Sequence, residues 1–260
     1  MAIITLTSDW GRKDHYLAVV KAAILSRMPE AVIVDISHEI PPFDLNQASF
    51  ILRNSYKFFP KGTVHIIGIT TEAGLETPHT AAEYEGQFFV GADNGIFSLL
   101  FDNPPSKLVE IDILQDSEYF TFSTRDVFVK AATHLAAGKP IENLGDPREA
   151  LNPKEAFKPV TSSDLITGKV IYIDNYENVF SNISRELFTR IGKGRPFVIE
   201  FSSSRYKINK ISHSYSDVVD CELLALFSTT GLLQIAINKA NASGLLGLKM
   251  DDTVRIQFMG

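Results

Sequence analysis

The sequence predicts two domains. One is an α/β N-terminal domain with a mixed or parallel sheet over residues 1–145; the other is a small, mostly β, barrel-like C-terminal domain over 164–260, and a linker over 146–163 joins them. Three observations predict this. In the first half, short apolar runs alternate with segments of helical periodicity, the pattern of a sheet covered by helices. The stretch 145–163 is rich in Pro, Ser and charge and has little periodicity. After it, five short β runs follow one another across turns, as in a small barrel or sandwich.

The first element is the apolar run 3–6, ended by Thr7-Ser8-Asp9, which reads as a buried strand. A helix is expected over 15–28, where Tyr16, Val19, Val20, Ala23 and Ile24 recur at helical spacing and Pro29 stops it. Ala31-Val-Ile-Val-Asp35 is the next strand, 48–58 a second helix, and 64–69 the third strand. Two more strands are expected at 88–91 and 108–113, then a helix over 127–137 with Gly138 as its stop. In the second half the β runs are 169–173, 196–200, 223–227, 232–236 and 253–257, with Gly231 after Ser228-Thr-Thr230 as a hairpin signal.

Composition narrows the function. Hydrophobic residues make up 45% and charged residues 22%, ordinary globular values that exclude collagen-like and disordered classes. The net charge of −6 argues against a nucleic-acid binder, which needs a basic face. No apolar run approaches the roughly 20 residues of a membrane helix, and the N-terminus has no basic region ahead of Asp9, so neither a membrane span nor a signal peptide is expected. The single cysteine, Cys221, fits a reducing cytoplasm and reads as a small core residue. Six scattered histidines and one cysteine give no metal-ligand pattern.

The candidate chemistry lies in loops after strands, where open α/β sheets bind ligands. Asp9 stands at the end of the first strand; its carboxylate either accepts bonds from two vicinal sugar hydroxyls or, like Asp14, caps the following helix. The loop lacks the glycine and lysine pattern of a phosphate loop. His38 and Glu39 are adjacent and point opposite ways on an extended chain, which favours a satisfied loop histidine over an acid/base pair. Phe43, after Pro41-Pro42, is either a stacking wall or a core aromatic, and Asp93-Asn94-Gly95 reads as a tight turn. Ser123 or Thr124 is placed to cap a helix with Asp126 in its first turn. The segment 174–182, with Asp174, Asn178 and two aromatics, suits a purine or is an Asx-rich turn.

In order along the chain, Leu6-Thr-Ser-Asp9-Trp-Gly11-Arg-Lys-Asp14, Val34-Asp35-Ile-Ser-His38-Glu39-Ile40, Asp93-Asn-Gly95, Thr121-Phe122 with Arg125-Asp126, Ile173-Asp174 with Asn178, and Gly244-Leu-Leu-Gly-Leu248 form a specific set. It resembles the S-adenosylmethionine hydroxide adenosyltransferases, relatives of the fluorinating and chlorinating enzymes that displace methionine from S-adenosylmethionine (SAM). The resemblance covers essentially the whole chain. It implies a homotrimer with each site between one subunit's N-terminal domain and its neighbour's C-terminal domain, a nucleoside ligand, SAM as substrate and no cofactor. It implies that Asp9 binds the ribose hydroxyls and Phe43 walls the ribose. It further implies that Asp174 and Thr229 face the methionine end, Asn178 bonds the adenine edge and Tyr215 stacks near it.

The chain departs from the family at the nucleophile pocket. The hydrolase branch carries an Asp, an Arg seven residues later and a His that position water; here those positions are Thr70, Thr77 and Ser123. Glu72 and His79 are close in sequence but do not align. Thr70 falls at the Tyr position of the halogenating branch and Thr124 at its Ser position, and the fluorinating enzymes' long insertion is absent between Thr80 and Phe88. Because methionine leaves as a neutral thioether, no general acid is needed, and alignment alone is worth up to roughly 7–11 kcal/mol. Threonine hydroxyls donate and accept but do not deprotonate water at neutral pH. Because the family's common reaction is hydrolysis, the resemblance implies hydrolysis of SAM at C5′ by water held on Thr70, Ser123 and Thr124, ahead of a SAM- or adenosine-sequestering module and of transfer to halide.

Overall fold

The computed structural model describes residues 2–115, 118, 120–201 and 206–260. The chain divides into two compact units, the first ending at Ala156 and the second beginning at Phe157.

The first unit is built on a seven-stranded mixed sheet. Its strands are β1 (Ile3–Ser8), β2 (Val32–Ser37), β3 (Val64–Gly68), β4 (His79–Tyr84), β5 (Gln87–Ala92), β6 (Lys107–Ile111) and β7 (Gly145–Pro147), in the order β2-β1-β3-β5-β4-β6-β7. The four strands β2, β1, β3 and β5 are parallel; β4, β6 and β7 are antiparallel to their neighbours. Helices α1 (Tyr16–Arg27) and α4 (Val129–Ala136) belong to the face where Leu6, Ile66 and Val90 are buried with Val20, Ile24 and Leu135. Helices α2 (Leu45–Arg53) and α3 (Ile96–Leu100) belong to the other, with Ile67, Ile69 and Phe89 against Leu52 and Phe97. Ile66 and Ile67 thus face opposite cores, which is why the parallel strands read as unbroken apolar runs.

Local chemistry explains where the elements differ from expectation. The second helix starts at Leu45 rather than 48, because the Asp44 carboxylate accepts the Gln47 N–H at 3.0 Å as an N-cap. It ends at Arg53, where the Asn54 amide and Ser55 hydroxyl donate back to the Phe50 and Ile51 carbonyls, and a single 3-10 turn, Tyr56–Phe58, follows. Strand β4 is an element of the sheet beyond those expected; it joins β5 through Glu85 and Gly86, both at positive φ, a two-residue hairpin turn that Glu-Gly signals only weakly.

One polar cluster is enclosed by this core. The Thr5 hydroxyl lies 2.7 Å from His65 Nδ1, and His65 Nε2 lies 2.5 Å from Gln87 Oε1, whose amide donates to the Tyr56 and Phe59 carbonyls. Burial pushes the His65 pKa down to about 4, against the opposing Gln87 bond. The folded value lies below the ordinary 6.5, so the neutral imidazole's contribution is fully present above pH 6.5 and is lost as pH falls toward 4. That difference corresponds to about 3 kcal/mol. Chemical denaturation between pH 7 and 4 is expected to show this loss, and His65→Gln to flatten it.

The second unit is a nine-stranded sheet: β8 (Val160–Thr161), β9 (Leu165–Ile173), β10 (Val179–Ser184), β11 (Phe197–Phe201), β12 (Lys207–Ile208), β13 (Ile211–Ser212), β14 (Leu223–Phe227), β15 (Leu232–Ile237) and β16 (Thr253–Phe258). The order is β12-β11-β16-β9-β10-β15-β14-β13, with β8 paired to β9. β12 also packs on β14, so the sheet curls into a nearly closed barrel around Ile166, Val179, Ile199, Ile235 and Ile256. Helix α5 (Arg185–Gly192) is capped by Ser184 and α6 (Ala242–Leu246) by Asn241. Cys221, expected in the core, is instead exposed at φ +65° in the turn ahead of β14, where its N–H donates to the Asn238 carbonyl. Among the described residues no helix is long and apolar enough to cross a membrane.

Candidate active site

In the first unit the ends of β1, β2, β3 and β5 form one carboxyl edge, and Asp9, Phe43, Thr70, Ser123 and Thr124 all belong to the segments gathered there. Asp9 follows β1 and does not cap α1, which has no side-chain cap. Its Oδ2 instead accepts the Phe43 backbone N–H at 2.9 Å, 34 residues away. Among the described residues Asp9 accepts no other hydrogen bond, so Oδ1 is available to a ligand. Phe43 is no core aromatic: it is 75% exposed and sits at φ +68°, a conformation costly for a bulky side chain.

Ties on either side of Asp9 fix this loop. The Ser8 hydroxyl lies 2.6 Å from His38 Nδ1, and the Gly11 N–H donates to the His38 carbonyl at 2.8 Å. His38 is fully buried and its Nε2 faces Asp35 Oδ1 at 3.3 Å, while Lys21 donates to Asp35 Oδ2 at 2.6 Å. Burial lowers the His38 pKa and outweighs the Asp35 carboxylate. Burial raises that of Asp35, but its bond to Lys21 and the nearby His38 imidazole bring it below the usual range. Glu39 points elsewhere, 3.9 Å from Arg12, so His38 and Glu39 do not form an acid/base pair. The Trp10 indole lies over Gly68, where an added Cβ would overlap the ring, and meets Phe122 edge-on at 5.6 Å. Gly68→Ala is expected to lower stability by about 1–3 kcal/mol, read as a fall in melting temperature, and to displace the Asp9 loop.

Thr70 lies two residues past β3 at φ +47°, an outlier for a β-branched residue. The Asn94 amide holds it from the end of β5, donating to the Ile69 carbonyl at 3.0 Å and the Thr70 carbonyl at 3.1 Å. Ser123 and Thr124 open a π-helical turn, Thr124–Phe128, that leads into α4 and packs on β3 and β5. Neither hydroxyl caps the helix. Ser123 is 2% exposed, and Thr124 is fully buried, with no hydrogen-bond partner for its Oγ1 among the described residues. Such π turns cluster at functional sites. Glu72 is exposed; His79 is buried, sits edge-on to Phe128, and its Nε2 lies 3.0 Å from the Thr71 carbonyl. Burial lowers the His79 pKa despite that bond, so it is a neutral structural group. These segments thus bring hydroxyl side chains and one anchored carboxylate to the same edge of the sheet.

In the second unit Asp174 and Asn178 share the β9–β10 loop. Asp174 Oδ1 accepts the Tyr176 and Asn178 N–H groups, each at 2.9 Å, and Oδ2 accepts the Asn178 amide at 3.1 Å, so the Asx-turn geometry is present and preorganises both side chains. The Tyr215 hydroxyl donates to Gln234 Oε1 at 3.0 Å, and Gln234 pairs with Phe180, two residues past Asn178. Thr229 lies in the turn that enters β15, whereas the loop of Asp174 and Asn178 adjoins the exit of β15, where Val179 pairs with Ile235. Tyr215 and the Asn178 loop thus both adjoin β15, and Thr229 lies in the turn that precedes it. The loop role expected for His38 is the one it plays, whereas Ser8 and Asn94 were not expected as supports. Only the Asn-Gly pair carried a signal, and that signal is for a turn rather than for a long-range donor.

The carboxyl edge of the parallel strands, where open α/β sheets bind small molecules, belongs to an α/β unit that is followed by a β-barrel unit. Residues 4–145 match the SAM hydroxide adenosyltransferase N-terminal domain and 168–255 the corresponding C-terminal domain, and the chain belongs to that family. It is 31% identical to an (R)-S-adenosyl-L-methionine hydrolase of Thermus thermophilus over 98% of this chain and 100% of the relative. It is 24% identical to a fluorinase of Nocardia brasiliensis over 98% of this chain and 96% of the relative. The crystal structure of an uncharacterized conserved protein from Thermotoga maritima covers 98% of this chain and 99% of its own, with a TM-score of 0.88 at 30% identity.

Proposed function

We propose that this chain hydrolyses SAM at C5′, releasing adenosine and L-methionine. The observation that carries the reading is the family match over both domains. The oxygen of water forms a bond to C5′ as the C5′–S bond breaks, the bonding pair stays on sulfur, and one proton is released to solvent. The sulfonium becomes a neutral thioether, so the site needs no acid; it must hold water in line and exclude competing geometry.

In this reading the free Oδ1 of Asp9 accepts the ribose hydroxyls and exposed Phe43 walls the sugar. Asp174 and Thr229 serve the methionine end, and Asn178, with Tyr215 near it, serves the adenine. Thr70, Ser123 and Thr124 hold the attacking water: the buried Thr124 Oγ1 accepts from it and so turns an oxygen lone pair toward C5′. With no charged base among them, turnover is slower than in an enzyme that has one, by about 10²–10⁴-fold. The protein works as a cytoplasmic homotrimer in which a neighbouring subunit completes each site, and it needs no cofactor.

The test is incubation of the purified protein with the (R) and (S) sulfonium epimers separately, in ¹⁸O-enriched water. Adenosine bearing the label at its 5′-oxygen is expected. SAM that binds but stays intact overturns hydrolysis in favour of a sequestering module, and halide-dependent loss of SAM without adenosine assigns transfer to halide.

A further inference from the structure

We propose that Asn94 is a positioning residue for the nucleophile pocket, acting through the backbone of Thr70; this rests on the reading that Thr70 holds the attacking water. Thr70 adopts φ +47°, which a β-branched residue reaches only under constraint. The Asn94 amide donates to the Ile69 and Thr70 carbonyls at 3.0 and 3.1 Å, one in the peptide that enters Thr70 and one in the peptide that leaves it. Its own Oδ1 accepts the Ile96 N–H at 3.2 Å, so the side chain is oriented from the first turn of α3. Among the described residues all three of its side-chain hydrogen bonds go to backbone, and none of them to Asp9 or Phe43.

What lies beneath Asn94 is built to stay still. Asp93 is fully buried, and its Oδ2 accepts Arg148 Nη1 at 2.9 Å and the Asn152 N–H at 2.8 Å. The Asn152 amide donates to the Glu76 carbonyl at 2.5 Å and to the Asp93 carbonyl, so the far end of loop 70–77 is tied to the same turn. The His79 imidazole reaches the Thr71 carbonyl between them. The loop is therefore gripped at Thr70, Thr71 and Glu76, and Asn94 supplies the two bonds nearest the strained residue.

If Asn94 acts in this way, Asn94→Ala lowers kcat for adenosine release about 10- to 100-fold while the calorimetric Kd for SAM stays within about twofold, since a small misplacement of a reacting partner costs on that order. Asn94→Asp, which keeps the acceptor for Ile96 but loses the donor, behaves alike. In a Thr70→Val background, Asn94→Ala has little further effect on kcat, because the two residues act as one unit. A raised Kd with unchanged kcat, or multiplicative losses in the double variant, overturns the proposal. A stability cycle reports independently of turnover: Thr70→Gly raises the melting temperature of the parent by relieving the positive φ, and no longer does so once Asn94 is Ala. Equal gains in both backgrounds overturn the proposal even in a protein without detectable hydrolysis, an outcome that by itself would count only against the reading of function.

Discussion

Replacing Asp9 by Ala is expected to lower kcat/KM for SAM roughly 10²- to 10⁴-fold. A hydrogen bond to a charged group contributes about 1.5–3 kcal/mol, and the carboxylate is expected to make two of them to vicinal hydroxyls. The same substitution also releases the Phe43 N–H and with it the positive φ that keeps this ring exposed. Binding and turnover should fall together, so the loss appears in the calorimetric Kd as well as in adenosine release. Asp9→Asn retains an acceptor for Phe43 and should lie between the two. Near-normal affinity in Asp9→Ala, with the fold intact by circular dichroism, would remove Asp9 from the ribose site.

Thr124→Val is expected to yield a protein that is more stable and less active. Among the described residues the buried Oγ1 of Thr124 has no partner, and valine has nearly the same shape. Removing a desolvated, unsatisfied hydroxyl should return about 1–3 kcal/mol and raise the melting temperature by several degrees. Removing the group that orients water should cost about 10²-fold in kcat with little change in Kd. The opposite signs distinguish a hydroxyl retained for chemistry from one retained for packing, as expected where function and stability compete. A variant that loses stability, or keeps full turnover, would take Thr124 out of the mechanism. Thr124→Ser, which restores the oxygen, is the matching control.

Much of the frame was legible because parallel strands buried on both faces leave unbroken apolar runs, as in β1 and β3, and the loops after them announce the ligand edge. What the sequence could not show is long-range pairing. Asp9 looked like a helix cap because a cap is the local option; its partner, the Phe43 N–H, lies in a different loop. Asn94 looked like the corner of a turn because its two acceptors belong to another strand. Strand β4 was hidden by its weak alternation, and β10 by the Asx-rich loop that runs into it. Phe43 gave equal support to wall and core from composition, and only its exposure and its backbone decide.

The π-helical turn at Thr124–Phe128 bears on how this pocket can change over time. Such a turn is an ordinary helix that has accommodated one surplus residue. Because α4 continues regularly from Val129, losing a single amino acid within 124–128 would leave its apolar stripe intact. The same loss would swing everything ahead of the turn by about 100°, one residue's share of a helical revolution. A one-codon deletion or insertion there is thus a short evolutionary route for exchanging which side chain stands at this edge of the sheet.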